Sequence, residues 1–155
     1  MTRFEELASS QDAHDVTIHD ISFHSNKIKG LYCDGSVAIN SHIDTDIEKA
    51  CILAEELGHH YTSYGNILDQ SSSWNRKQEH LARLWAYNRL IGLNGIIDGY
   101  SAGCRNRFEM AEFLGVTESF LQEALDFYSG KYGEYTVVDN YFIFFQPALS
   151  VLEIR

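Results

Sequence analysis

A chain of 155 residues, 45% of them hydrophobic, can bury one compact core and has little room for a second. Its 22 acidic residues outnumber 12 basic ones, and the net charge of −10 disfavours phosphate backbones and anionic lipid surfaces as partners. The opening MTRFEELASS lacks the basic-then-apolar pattern of a secretory signal, and no apolar run approaches the ~18 residues needed to cross a bilayer, so a soluble, cytoplasmic protein is expected.

Residues 1–29 are polar, with short apolar alternation at Val16-Thr17-Ile18 and Ile21-Ser22-Phe23 that suits a helix end or a strand. Two short strands then flank Asp34-Gly35, a strong hairpin signal, over residues 29–40. Thr45 with Glu48 has the capping-box spacing, and Asp44 and Asp46 suit a helix N-terminus, so a helix is predicted from there to about His60. Ile47, Ala50, Cys51, Ala54 and Gly58 share one face of it, predicted to pack inward. A polar loop over 63–73 leads to a second long helix, about 74–91, ended by Gly92, Asn94 and Gly95. A short helix and a helix-turn-helix-like pair follow around 108–114 and 118–128, joined at Gly115-Val116-Thr117, and a second hairpin is predicted around Asp139-Asn140. Cys33, Cys51 and Cys104 form no CxxC pair and are expected to be reduced and mostly buried.

The residues that carry chemistry lie in Glu55-Glu56-Leu57-Gly58-His59. In peptidases of the HExxH type, two side chains four apart on a helix meet one metal, and the glutamate beside the first activates the attacking water. Glu55 and His59 hold the four-apart positions here and Glu56 the base position, giving EExxH. A carboxylate is able to replace the imidazole, since zinc accepts carboxylate oxygen at ~2.0–2.2 Å. Such a pair at helical spacing is also common on solvated faces as a plain ion pair. A second register, pairing Glu56 with His60, leaves Glu55 on the wrong side as base and displaces Gly58.

The string Ala54-Glu55-Glu56-Leu57-Gly58-His59-His60 resembles the metal helix of the ImmA/IrrE family of metallopeptidases, where the usual form is HELGH. Glu79-His80-Leu81-Ala82-Arg83-Leu84-Trp85-Ala86 is similar to the family's second motif, and Met110-Ala111-Glu112-Phe113-Leu114-Gly115-Val116 with Phe120-Leu121 to the segment that follows. The resemblance spans roughly residues 30–128. It implies Glu55, His59 and Glu79 as metal ligands, Glu56 as general base, and a protein substrate, typically a helix-turn-helix repressor of a phage or mobile element. The residues of the second helix agree with it: small Ala82 and Ala86 share a stripe with Glu79 and let two helices approach closely.

Two carboxylates and one imidazole make a harder, more negative site than two imidazoles and one carboxylate. Zinc is the expected metal, with manganese or iron competing better than usual. Tyr61-Thr62-Ser63-Tyr64 offers hydroxyls for an oxyanion, although such rings more often cover a core. His80 is expected to be an exposed helix residue, and no role falls to His14, His19, His24 or His42.

The reading is a single α+β domain over 1–155. It has a compact zincin-like core at about 30–95, with N-terminal hairpin and two metal-site helices, and a helix-turn-helix-like and β-hairpin extension at about 96–155. The function is a metal-dependent endopeptidase. The rival is a binding protein of the same fold that has lost hydrolysis. A DNA-binding regulator is disfavoured because the would-be recognition helix, 118–126, carries Glu118, Glu123 and Asp126 and no base.

Overall fold

The structure, a computed structural model, describes residues 1–62 and 72–155. Helices and two three-stranded sheets build an α+β fold, as predicted. The chain divides into two compact units, Met1–Ala86 and Tyr87–Arg155.

In the first unit, α1 (Arg3–Ala8) starts at Thr2, whose hydroxyl accepts the Glu5 N–H at 3.1 Å, and a 3₁₀ turn follows at Gln11–Ala13. The ambiguous alternation after it is a strand, β1 (Thr17–Ile21). The predicted hairpin is present as β2 (Gly30–Cys33) and β3 (Ser36–Asn40). At its turn Asp34 and Gly35 have φ of 44° and 79°, the left-handed pair that a tight turn of this hand needs. The strand order is β1-β3-β2, with β1 parallel and β2 antiparallel to the central β3. The buried Asn40 closes the sheet's lower corner by donating to the Ile28 carbonyl at 3.0 Å and accepting from the His42 N–H at 3.1 Å.

Helix α2 (Asp46–Thr62) begins where the capping pattern puts it, with the Glu48 N–H donating to Thr45 Oγ1 at 3.1 Å. Ala50, Cys51, Ala54 and Gly58 are buried as expected, joined by Ile52, Leu53 and Leu57 because the helix packs against α1 and against β2 and β3. Ile47 departs from the reading: it sits in the first turn and is 41% exposed. Helix α3 (Ser72–Leu90) begins two residues before the predicted start; most of the predicted 63–73 loop lies outside the described residues. Ala82 and Ala86 of α3 are fully buried, and a Cβ placed on Gly58 would stand 2.2 Å from the Ala82 carbonyl oxygen. The two helices therefore touch backbone to backbone at this point, which only a residue without a side chain permits.

In the second unit, Asn94 and Gly95 lie inside a further helix, which corrects the reading, while α3 ends just before Gly92 as read. The Gly92 φ of +65° makes a one-residue break, after which α4 (Gly92–Ser101) resumes helical spacing and buries Ile96. Helices α5 (Arg107–Leu114) and α6 (Glu118–Tyr132) are joined at Gly115, left-handed with φ +71°, and Thr117 caps α6 by accepting the Phe120 N–H at 3.1 Å. The second hairpin is β4 (Tyr135–Val138) and β5 (Tyr141–Phe144). A third strand, β6 (Ser150–Glu153), was not read from the sequence: four residues after Pro147 carry too short an alternation to stand out, and pairing with β5 is what makes them a strand. Tyr128 is buried here, its hydroxyl donating to Asn88 Oδ1 at 2.9 Å.

The cysteines are all free, but only Cys51 is buried; Cys33 is exposed and Cys104 half-buried, against the expectation. Among the described residues no helix is long and apolar enough to cross a membrane.

Candidate active site

Glu55, Glu56 and His59 lie in the last two turns of α2, and Glu79 lies in α3. The Gly58 contact that draws these helices together also brings their polar groups into reach. His59 Nε2 stands 3.0 Å from Glu79 Oε2, and Arg83, one turn along α3, donates from Nε to Glu79 Oε1 at 3.2 Å. Both oxygens of Glu79 are therefore engaged, one by each helix. The hydrogen bond to His59 holds the Glu79 carboxyl below its usual range, with burial opposing and Arg83 adding to the effect. The same bond raises His59 above the ordinary imidazole value, again against burial.

Glu56 is placed differently. Strand β2 runs directly over it: a Cβ on Gly30 would lie 2.7 Å from Ile52 Cγ2 and 3.2 Å from Glu56 Cγ. Under that strand, Glu56 Oε2 is buried and has no hydrogen-bond partner among the described residues. Burial is the main cause that pushes its carboxyl up to about 7. The His59 charge opposes that rise, and the negative charges of Glu55 and Glu79 add to it. A buried carboxylate oxygen with nothing to bond is the kind of atom that a bound water or cation satisfies.

The neighbouring His60 faces away from this group. Its Nδ1 is 2.7 Å from the Tyr32 hydroxyl and its Nε2 is 3.1 Å from Asp15 Oδ2, while the Gly35 N–H donates to the Tyr32 oxygen at 3.1 Å. With both ring nitrogens in use, the register pairing Glu56 with His60 has no support. The bond to His60 holds the Asp15 carboxyl below its ordinary value. Tyr61 is likewise committed, its hydroxyl bonded to the Asp12 carbonyl and its ring stacked on Trp85 at 5.2 Å, so it offers no oxyanion donor here. Tyr64 lies outside the described residues. His80 is exposed, as expected.

The donor types fit a divalent metal: an imidazole Nε2 and a carboxylate oxygen from different helices converge, and the unsatisfied buried carboxylate oxygen of Glu56 lies on the same helix as the imidazole. The convergence extends to two donors. Among the described residues no three His, Cys, Asp or Glu side chains are gathered in metal-holding geometry, so Glu55 is not drawn in with His59 and Glu79. Sequence reasoning missed Asp15 and Tyr32, which reach His60 from 45 and 28 residues away, and Gly30, whose missing side chain lets β2 cover Glu56. No local pattern announces such contacts.

Neither the curated proteins nor the solved structures yield a match. A family model, Peptidase_M78, described as the IrrE N-terminal-like domain, matches residues 11–126. That span takes in both helices of the site and reaches further toward the N-terminus than the residues 30–128 read from the motifs, to include β1 and the Asp15 segment. Covering most of the chain, it shows that the protein belongs to the IrrE N-terminal-like family of metallopeptidases.

Proposed function

We propose that the protein is a metal-dependent endopeptidase in which Glu55, His59 and Glu79 hold one divalent cation, zinc in the first place, and Glu56 is the general base. The observation that carries this reading is the meeting of His59 and Glu79 at 3.0 Å across two helices, next to a buried Glu56 oxygen that has no partner. A metal bound there supplies Lewis acidity toward the scissile carbonyl and the attacking water. Glu56, the residue after Glu55, takes the proton from that water and passes it to the departing amide nitrogen. The cover of β2 over Glu56 keeps bulk water from levelling its basicity, and Arg83 holds the outer oxygen of Glu79. Nothing in this scheme needs His60, which fastens α2 to the sheet.

The substrate in this reading is one regulatory protein, a helix-turn-helix repressor of a phage or mobile element. A chain with net charge −10 is suited to dock on a basic DNA-binding protein. Direct DNA binding has no support at the α6 face: Glu118 already pairs with Arg107 at 3.3 Å, and Glu123 and Asp126 add only negative charge.

A second reading, favoured by the lack of a gathered three-donor set among the described residues and by glutamate at position 55, is a repressor-binding protein without hydrolysis. Glu56→Gln separates the two. For the endopeptidase, intact-mass analysis of a repressor incubated with the variant shows no cleavage while partner binding persists. If the variant keeps the full biological effect, the non-catalytic reading stands and the peptidase reading falls.

A further inference from the structure

We infer that Arg83 is a positioning residue for the metal site, fixing the Glu79 carboxylate so that a single oxygen faces His59. This rests on the reading of Glu79 as a ligand. A carboxylate on a helix surface turns about its terminal bond and can offer either oxygen, or both, to a cation. Here Arg83 Nε donates to Oε1 at 3.2 Å while Oε2 points at His59 Nε2 at 3.0 Å, so the guanidinium and the imidazole pull on opposite oxygens. The rigid, permanently charged guanidinium suits that task better than a lysine ammonium would. Its place also fits the unusual composition of the site. Glutamate at position 55 puts a third carboxylate beside Glu56 and Glu79, and a fixed positive charge on Glu79's outer oxygen offsets part of that excess without standing where the cation would sit. Outer partners of this kind typically tune metal affinity by roughly 10–100-fold.

The plainer reading is an exposed pair one helical turn apart, with no consequence for the metal. The two differ in what Zn²⁺ binding does when Arg83 is replaced. Arg83 is about half exposed, so Arg83→Met leaves the core untouched. The full-length protein, its Arg83→Met and Arg83→Lys variants and Glu79→Gln are titrated with Zn²⁺ against a chromogenic chelator. Co²⁺ spectra and the melting temperature of the metal-free protein are recorded alongside. The expected result is a loss of Zn²⁺ affinity of about tenfold or more in Arg83→Met, with an altered Co²⁺ absorption envelope, a smaller loss in Arg83→Lys, and an unchanged metal-free melting temperature. Unchanged or tighter Zn²⁺ binding by Arg83→Met, with binding lost in Glu79→Gln, overturns the positioning role and leaves the ligand reading intact. Wild-type Zn²⁺ affinity in Glu79→Gln overturns the ligand reading itself.

Discussion

Three side chains of the site respond to one another, and their directions of shift set how the metal-free protein responds to pH. His59 is raised above 6.5 by Glu79, so its contribution to stability is complete below that value and is lost as pH rises through its folded value. Glu79 is lowered below 4.5, so its contribution is present above that value and is lost as pH falls through its folded value. Their joint contribution is therefore greatest between about 4.5 and 6.5. Glu56 acts in the opposite sense. Raised from 4.5 to about 7, it destabilises the fold progressively across that interval and by a constant amount above it, of order 1–3 kcal/mol. Urea unfolding of the metal-free protein should accordingly give a midpoint that peaks in the lower part of the 4.5–6.5 window and declines toward pH 8. Glu56→Gln should flatten that decline while reducing cleavage by about 10²–10⁴-fold, the usual weight of a general base. A variant with unaltered alkaline stability would mean that the Glu56 carboxyl is not buried as described. At this scale the placement of Glu55, Glu56 and His59 on one helix was legible, because spacing within a helix is local. It was silent on Asp15, Tyr32 and the Arg83 contact, which arise only once separate segments meet.

Among the elements, the contact between α2 and α3 matters most. Gly58 is read from the sequence as one letter of a motif, but the structure gives it a steric reason: its hydrogen faces the Ala82 carbonyl oxygen where a methyl group would overlap it. Gly58→Ala should push the helices apart, destabilise the protein by about 1–3 kcal/mol as overpacking does, and lengthen the path between His59 and Glu79, so that Zn²⁺ affinity falls with the melting temperature. A Gly58→Ala protein that keeps both would show that the helices have slack. The long helices, the Asp34-Gly35 hairpin and the α5–α6 pair were legible because caps, left-handed turn residues and apolar spacing all act locally. Asn94 and Gly95 were misread as part of the stop after α3 because a glycine with positive φ looks the same in sequence whether it ends a helix or interrupts two, and only the continued apolar spacing of Leu93, Ile96 and Ile97 tells them apart. The strand β6 was lost for the converse reason, its identity being conferred by its partner β5.

For the molecule as a whole, charge is the property that the sequence states most directly. An excess of ten negative charges should accelerate encounter with a basic regulator and do so less at high salt. Stopped-flow association with a candidate repressor should slow by tenfold or more between about 0.05 and 0.5 M NaCl while dissociation changes little. An association rate indifferent to salt would argue against docking through the acidic surface. Membership of the peptidase family accounts for residues 11–126 and leaves the C-terminal sheet, β4 to β6, beyond the matched span.

The grip on His60 has a consequence for how the protein can be handled. Because His59 and His60 are consecutive, whatever anchors the second fixes the rotation of the first, and the anchors are Asp15, ahead of the first strand, and Tyr32 in the hairpin. Tyr61 reaches the same leading segment through the Asp12 carbonyl. A chain shortened to begin at Thr17 would retain every proposed ligand and the base, and the Tyr32 bond, yet lose α1, Asp12 and Asp15, so that His60 would be held from one side alone. The apparently dispensable leader is therefore one of the two anchors that hold His60 and, with it, the rotation of the helix.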